Sequence, residues 1–168
     1  MIDYRTATTA DAAALARIGA DSFTQTFGHL YDPADLALFV ANHTPANWAA
    51  ELADPAFAIR IAEADGAMVG YIKLGPPHLP FAPALGALEL RQLYVLGPWQ
   101  GAGVAAKLTD WLIAEVRTRC ATALYLSVFT DNHRARRFYT RYGFEAVGPY
   151  TFMVGNHADE DIVMRLAL

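Results

Sequence analysis

The hexapeptide Gln100-Gly101-Ala102-Gly103-Val104-Ala105 decides how the rest of the chain is read. Ahead of it, Glu89-Leu90-Arg91-Gln92-Leu93-Tyr94-Val95 has the make-up of a strand. Behind it, Val104, Leu108, Trp111, Leu112 and Val116 recur at helical spacing. A glycine-bearing turn between a strand and a helix leaves several backbone N–H groups free at a helix N-terminus. The helix dipole adds partial positive charge there, so the element suits a phosphate. Gly101 and Gly103 have no Cβ, which lets an anion come close to the main chain. Taken alone, the motif is equally well a tight strand-to-helix turn with no ligand.

Outward from this turn the chain reads as alternating strands and helices. Toward the N-terminus, Ile2–Ala7 is expected to be a strand, and Thr8-Thr9-Ala10-Asp11 has the form of a capping box opening a helix that ends near Gly28. Pro33 suits the first position of a second helix, and Pro45–Leu52 of a short third one. Asp65-Gly66 marks a hairpin between Phe57–Glu63 and Met68–Leu74. Gly75–Gly86 holds Pro76, Pro77, Pro80 and Pro83 but also Leu79 and Phe81, which points to an ordered surface loop and not a linker. Leu88–Val95 is the central strand, followed by a helix from Gly101 to about Arg119 and a buried strand at Leu124–Phe129. If those two strands are parallel neighbours, their crossover is right-handed. A helix over Asn132–Tyr142 should stop at Gly143, with Phe144–Val154 and Asp161–Ala167 as the last, antiparallel strands. The fold class is single-domain α/β: a mixed, mostly antiparallel sheet with helices on both faces.

A second block, Asp131-Asn132-His133-Arg134-Ala135-Arg136-Arg137-Phe138-Tyr139 and then Tyr142-Gly143-Phe144, follows the glycine turn by about thirty residues. In order and spacing the two blocks resemble those of the GCN5-related N-acetyltransferase (GNAT) superfamily, and the resemblance spans roughly residues 2–168. Phe23-x-x-x-Phe27-Gly28, Tyr31, Asp35-Leu36, Phe152-x-Val154-Gly155 and Asp159 through Met164 are more loosely similar to the bacterial Pai-type spermidine/spermine acetyltransferases. Tyr150 stands where that branch would have a histidine.

The resemblance implies acetyl-CoA as cosubstrate and assigns roles residue by residue. Leu93, Tyr94 and Val95 would line the thioester, with the Val95 N–H on its carbonyl oxygen. The pyrophosphate would lie on residues Gln100, Gly101, Ala102, Gly103, Val104, Ala105 and Ala106. Asn132 would bond the pantetheine arm, although it is equally placed to cap a helix. Arg134 is the arginine nearest the phosphates. Tyr139, two helical turns beyond Asn132, would give a proton to the departing thiolate; core packing beside Phe138 is the alternative. Glu89 is a candidate base, lying six residues before Val95, an even spacing that in a regular strand puts both side chains on one face. A salt bridge with Arg91 is the competing role. Phe27, Tyr31, Glu89 and Tyr150 would contact the acceptor amine, with Phe23, Asp32 and Asp35 nearby.

Composition limits the partners. The chain has 168 residues, 54% hydrophobic and 18% charged, as expected of one packed domain. A formal charge of −4 argues against general nucleic-acid binding. Asp131–Arg141 is locally basic, so the remainder is more acidic than the total, which suits a cationic acceptor. One cysteine, Cys120, excludes an internal disulfide, and the five histidines show no metal-ligand spacing. No apolar run reaches the ~20 residues that span a bilayer, and no secretory leader is apparent, so a cytoplasmic protein without membrane contact is expected. The acceptor is expected to be a small-molecule amine, spermidine or spermine foremost, with a peptide amino group or a non-catalytic acyl-CoA-binding role as alternatives. A homodimer is one open arrangement.

Overall fold

The computed structural model describes residues 1–83 and 85–168; Ala84, inside the expected proline-rich loop, lies outside the described residues. Asp65 and Gly66 both take left-handed backbone angles, φ 50° and 79°, the geometry whose twist matches a two-residue hairpin. They join β2 (Ala58–Ala64) to β3 (Ala67–Gly75). β1 (Ile2–Thr6) adds antiparallel to β2, and β4 (Ala87–Val95) antiparallel to β3. β5 (Ala123–Phe129) runs parallel to β4; β7 (His157–Ala167) pairs antiparallel with β5, and β6 (Glu145–Val154) closes the edge. The seven-stranded order is β1-β2-β3-β4-β5-β7-β6, the mixed, mostly antiparallel sheet expected.

Helices α1 (Ala12–Phe27), α2 (Pro33–Val40), α3 (Pro45–Ala53), α4 (Val104–Thr118) and α5 (His133–Arg141) cover the two faces. On one, Leu108, Leu112 and Val116 of α4 and Tyr139 of α5 bury against Ile72, Leu74, Leu124 and Leu126. On the other, Leu15 and Ile18 of α1 and Trp48 of α3 pack on Ile59, Ile61 and Tyr71. Each such aliphatic side chain contributes about 1.5–3 kcal/mol by leaving water. α1 is entered through the expected cap: the Thr8 N–H donates to Asp11 at 2.7 Å, and Arg5 clamps the same carboxylate at 2.8 and 2.9 Å. The Arg5 hydrogen bonds hold the Asp11 carboxyl down at about 2. Leu79 anchors the proline-rich loop in a smaller cluster with Ala87, Ala123, Tyr125 and Val163.

Three local features differ from the sequence expectation, and each shapes the site. α4 starts at Val104 and not Gly101, because Gly101 (φ 86°) and Gly103 (φ 81°) hold left-handed angles that a right-handed helix excludes. β7 begins at His157, four positions before Asp161, which places Asp159 and Asp161 together on one face of a strand. Most consequentially, β4 is bulged. Lys73 pairs with Gln92 and Leu74 with Leu90, so Arg91 is an extra residue in the ladder. Leu88 and Leu90 before the bulge, and Leu93 and Val95 after it, therefore all pack on the α4–α5 side.

Candidate active site

The parallel pairing of β4 with β5 lasts three residues, Ala87–Glu89 opposite Ala123–Tyr125. Beyond it β4 stays with β3, and β5 stays with β7, so the two strands part. Leu96 N–H bonds Val69 O on β3 at 2.9 Å. Because successive N–H groups of a strand point opposite ways, the N–H groups of Val95 and Leu93 face the gap. Tyr94 N–H faces β3, so this residue brings its ring to the site and not its backbone. The Val95 carbonyl is taken by Gln100 Nε2 at 3.0 Å, and Gln100 Oε1 accepts from Arg134 Nη1 at 2.7 Å. Gln100 thus straps the turn to the end of β4 and to the start of α5.

At the turn itself, a Cβ on Gly101 or Gly103 would meet nothing within 4 Å. The glycines answer to their backbone angles, and the space beside them is open to a ligand. Ala102 N–H is spent on Trp99 O at 3.3 Å, whereas Lys107 N–H is the first to bond back into α4, to Gly103 O at 3.1 Å. The first-turn N–H groups of Val104, Ala105 and Ala106 therefore lack helical partners, as any helix start must leave them. With the gap-facing Val95 N–H, this donor set fits the pyrophosphate and thioester of an acyl-CoA. Asn132 caps α5, its Oδ1 accepting from Ala135 N–H at 3.2 Å. Tyr139 is buried between Phe138 and Phe144, and burial first, then the neighbouring Tyr94, pushes its phenol well up.

On the other face, rings from α1, α2, β5, β6 and the α1–α2 connection gather around two carboxylates. Asp159 and Asp161 are each 7% exposed. Their cross-strand neighbours are Phe152 and Tyr150 on β6, and Phe129 on β5 stands opposite Asp161. From above, Phe23 stacks on Tyr31 and meets Phe39 at a tilt, Phe39 meets Phe152 edge-on, and Phe27 meets Phe129 edge-on. Phe23 is core, while Phe27, Tyr31 and Tyr150 are half-buried along the groove. Asp159 is well held: the Tyr31 hydroxyl donates to Oδ2, and His157 Nε2 lies 3.2 Å from Oδ1. Among the described residues Asp161 has only a pull from Ser127. Burial, aided by the charge of Asp159, pushes its carboxyl up to about 6. Burial and then the Asp161 charge raise the Tyr94 phenol, so Asp161 and the end of β4 share one field.

The bulge corrects the placement of Glu89. Its carboxylate does not share a face with Val95. It is buried, 3% exposed, and turns to the proline-rich loop. It accepts from His78 N–H at 2.8 Å and Leu79 N–H at 3.4 Å, with His78 Nδ1 at 2.9 Å and Arg91 Nε at 3.6 Å. Asp35 likewise serves packing, its Oδ1 accepting from Asn156 N–H at 2.8 Å. Gly155 makes that approach possible, since a Cβ there would come 2.6 Å from the Asp35 backbone. Asp32 is exposed at the head of α2. Asp161 carried no role in the sequence reading. Its only local signal was its place as the last of three consecutive acids, Asp159–Asp161, ahead of the apolar run Ile162–Met164, and its burial depends on Phe129, thirty-odd residues away in the chain.

A family model described as Acetyltransferase (GNAT) family matches residues 16–144. An uncharacterized N-acetyltransferase of Mycobacterium tuberculosis is 36% identical over 157 residues, 92% of this chain and 96% of that protein. An aminoalkylphosphonate N-acetyltransferase of Salmonella typhimurium is 35% identical over 99 residues, 58% of this chain and 63% of that one. Among solved structures, the PaiA N-acetyltransferase of Thermoplasma acidophilum in complex with coenzyme A aligns with a TM-score of 0.80 at 16% identity, over 100% of this chain and 99% of that one. At that identity the likeness is one of fold.

Proposed function

The chain belongs to the acetyltransferase (GNAT) family and is an acetyl-CoA-dependent N-acetyltransferase, and from that premise we propose that its acceptor is a small aliphatic polyamine of the spermidine or spermine kind. The observation that carries this reading is the pair Asp159 and Asp161, 7% exposed each, inside a ring of aromatic side chains. Among the described residues no lysine or arginine is bridged to either, and the one histidine within reach is His157. Methylene segments would lie against Phe27, Phe129 and Tyr150, and ammonium groups would meet ring faces and carboxylates. A phosphonate-bearing amine would instead bring negative charge to two buried aspartates, which argues against the acceptor named for the Salmonella relative.

Acetyl-CoA supplies an activated acetyl thioester. The Val95 N–H, aimed into the gap, is positioned to take the carbonyl oxygen as negative charge develops on it. The first-turn N–H groups of α4 hold the pyrophosphate. Tyr139, kept protonated by its raised phenol pKa, donates its Oη proton to the leaving sulfur. The amine attacks directly with both substrates bound. Cys120, exposed beyond α4 and before β5, stands at the opposite end of β5 from Phe129, so no acyl-cysteine is invoked.

The test is release of CoA thiol from acetyl-CoA with a panel of spermidine, spermine, amino sugars, amino acids, an aminoalkylphosphonate and peptides. The expected result is turnover of the polyamines with the highest kcat/KM, weakened by salt. Turnover of peptides or the phosphonate in preference to polyamines would refute the acceptor assignment.

A further inference from the structure

Two carboxylates line the acceptor groove, and their surroundings differ. Asp159 is saturated by Tyr31 and His157. Asp161, one strand repeat on and on the same face, has among the described residues only Ser127, on β5. The groups around it are few: Asp159 and His157 on β7, Ser127 on β5, Tyr94 on β4, Tyr150 on β6, and Tyr31 between α1 and α2. None of these is a lysine or arginine. One further buried polar atom lacks a partner, on α1. A Cβ on Gly19 would come 2.8 Å from His43 Nδ1 and 3.0 Å from Tyr71 Oη, so that face of α1 packs on the α2–α3 connection and on β3. Ser22, 4% exposed on that face, has an Oγ with no hydrogen-bond partner among the described residues. Buried hydroxyls are seldom left so unless a ligand or water completes them.

We propose that Asp161 is the catalytic carboxylate that takes the proton from the acceptor ammonium, and that Glu89 instead fixes the proline-rich loop. This rests on the groove being the amine site. The step balances simply. Asp161 Oδ removes one proton from R–NH3+, giving R–NH2 and a neutral carboxyl. The amine lone pair forms the C–N bond as the C–S bond breaks. The thiolate takes the Tyr139 proton, and the second amine proton restores Tyr139. A carboxyl pushed up to about 6 is ionised at neutral pH and is a stronger base than an ordinary aspartate. Glu89, by contrast, has its lone pairs engaged by two backbone N–H groups and His78.

The experiment is the pH profile of kcat/KM, measured with whichever amine the panel shows to be turned over, so that a wrong acceptor class does not decide it. Wild type should show an acid limb near 6. Asp161→Asn should remove that limb and lower kcat/KM by about 10²–10⁴-fold, with acetyl-CoA affinity by calorimetry unchanged. Asp159→Asn takes away the neighbouring negative charge and should move the limb to lower pH. Glu89→Gln and His157→Gln should both keep it. An Asp161→Asn enzyme within threefold of wild type, or a limb that disappears in Glu89→Gln or His157→Gln while persisting in Asp161→Asn, overturns the proposal. Should Asp161→Asn fail to fold, the Asp159→Asn shift decides alone: an unmoved limb overturns it.

Discussion

Replacing Asp161 by asparagine should make the protein more stable at neutral pH while it disables the enzyme. The native carboxyl titrates at about 6 against 3.8 for an unperturbed aspartate. It therefore binds its proton more tightly in the folded than in the unfolded chain. Between pH ~4 and ~6 the folded protein holds a proton that the unfolded chain has already lost, so stability falls as pH rises through that window. Each pKa unit is worth 1.36 kcal/mol, which over about two units gives roughly 3 kcal/mol of destabilisation, fully present above pH ~6. At 7% exposure the site is poorly screened, so little of this is dissipated by solvent. Asparagine fills nearly the same volume and carries none of the cost. Urea unfolding of both proteins at pH 4, 5, 6 and 7 measures the difference directly. The variant should match wild type near pH 4 and gain up to about 3 kcal/mol by pH 7, a rise in Tm of several degrees for a domain of this size. A variant less stable than wild type at pH 7, or a difference that does not vary with pH, would refute a desolvated, charge-burdened Asp161.

Other changes probe the remaining parts. Tyr139→Phe deletes only the hydroxyl and should lower kcat about 10²-fold or more, with acetyl-CoA affinity nearly unchanged by calorimetry. Gly103→Asp puts a carboxylate beside the first-turn N–H groups of α4, and should weaken CoA binding at least ~10-fold in a protein that still folds. Gly155→Ala drives a Cβ to 2.6 Å from the Asp35 backbone at a φ of 58°. It should cost about 1–3 kcal/mol in urea unfolding and raise KM for the amine, because α2 carries Phe39 over the groove.

The sequence made much of the fold legible, because the signals that place its elements are local. Asp65-Gly66, Pro33, Gly143 and the helical spacing of Leu108, Leu112 and Val116 each act within a few residues. The cofactor side was legible for the same reason: the two glycines and the first turn of α4 lie in one stretch. The acceptor side was not, because its geometry is made by distant pairings. The bulge at Arg91 is set by how β3 and β4 align, and it turns Glu89 away from the face that even alternation would give it. Asp161 becomes a buried, under-bonded carboxylate only when β7 lies between Phe129 of β5 and Tyr150 of β6. Asp35 and Gly155 are 120 residues apart in sequence, so their contact has no local trace.

The most direct test of the account compares kcat/KM for spermidine with that for an alkyl monoamine of equal length. Two buried carboxylates can serve a second ammonium as well as the reacting one, and a charge-assisted contact is worth about 1.5–3 kcal/mol. Spermidine should therefore be preferred by at least ~10-fold, and the preference should shrink in Asp159→Asn. Equal kcat/KM for the two amines would contradict the claim that this groove is built for a polycation.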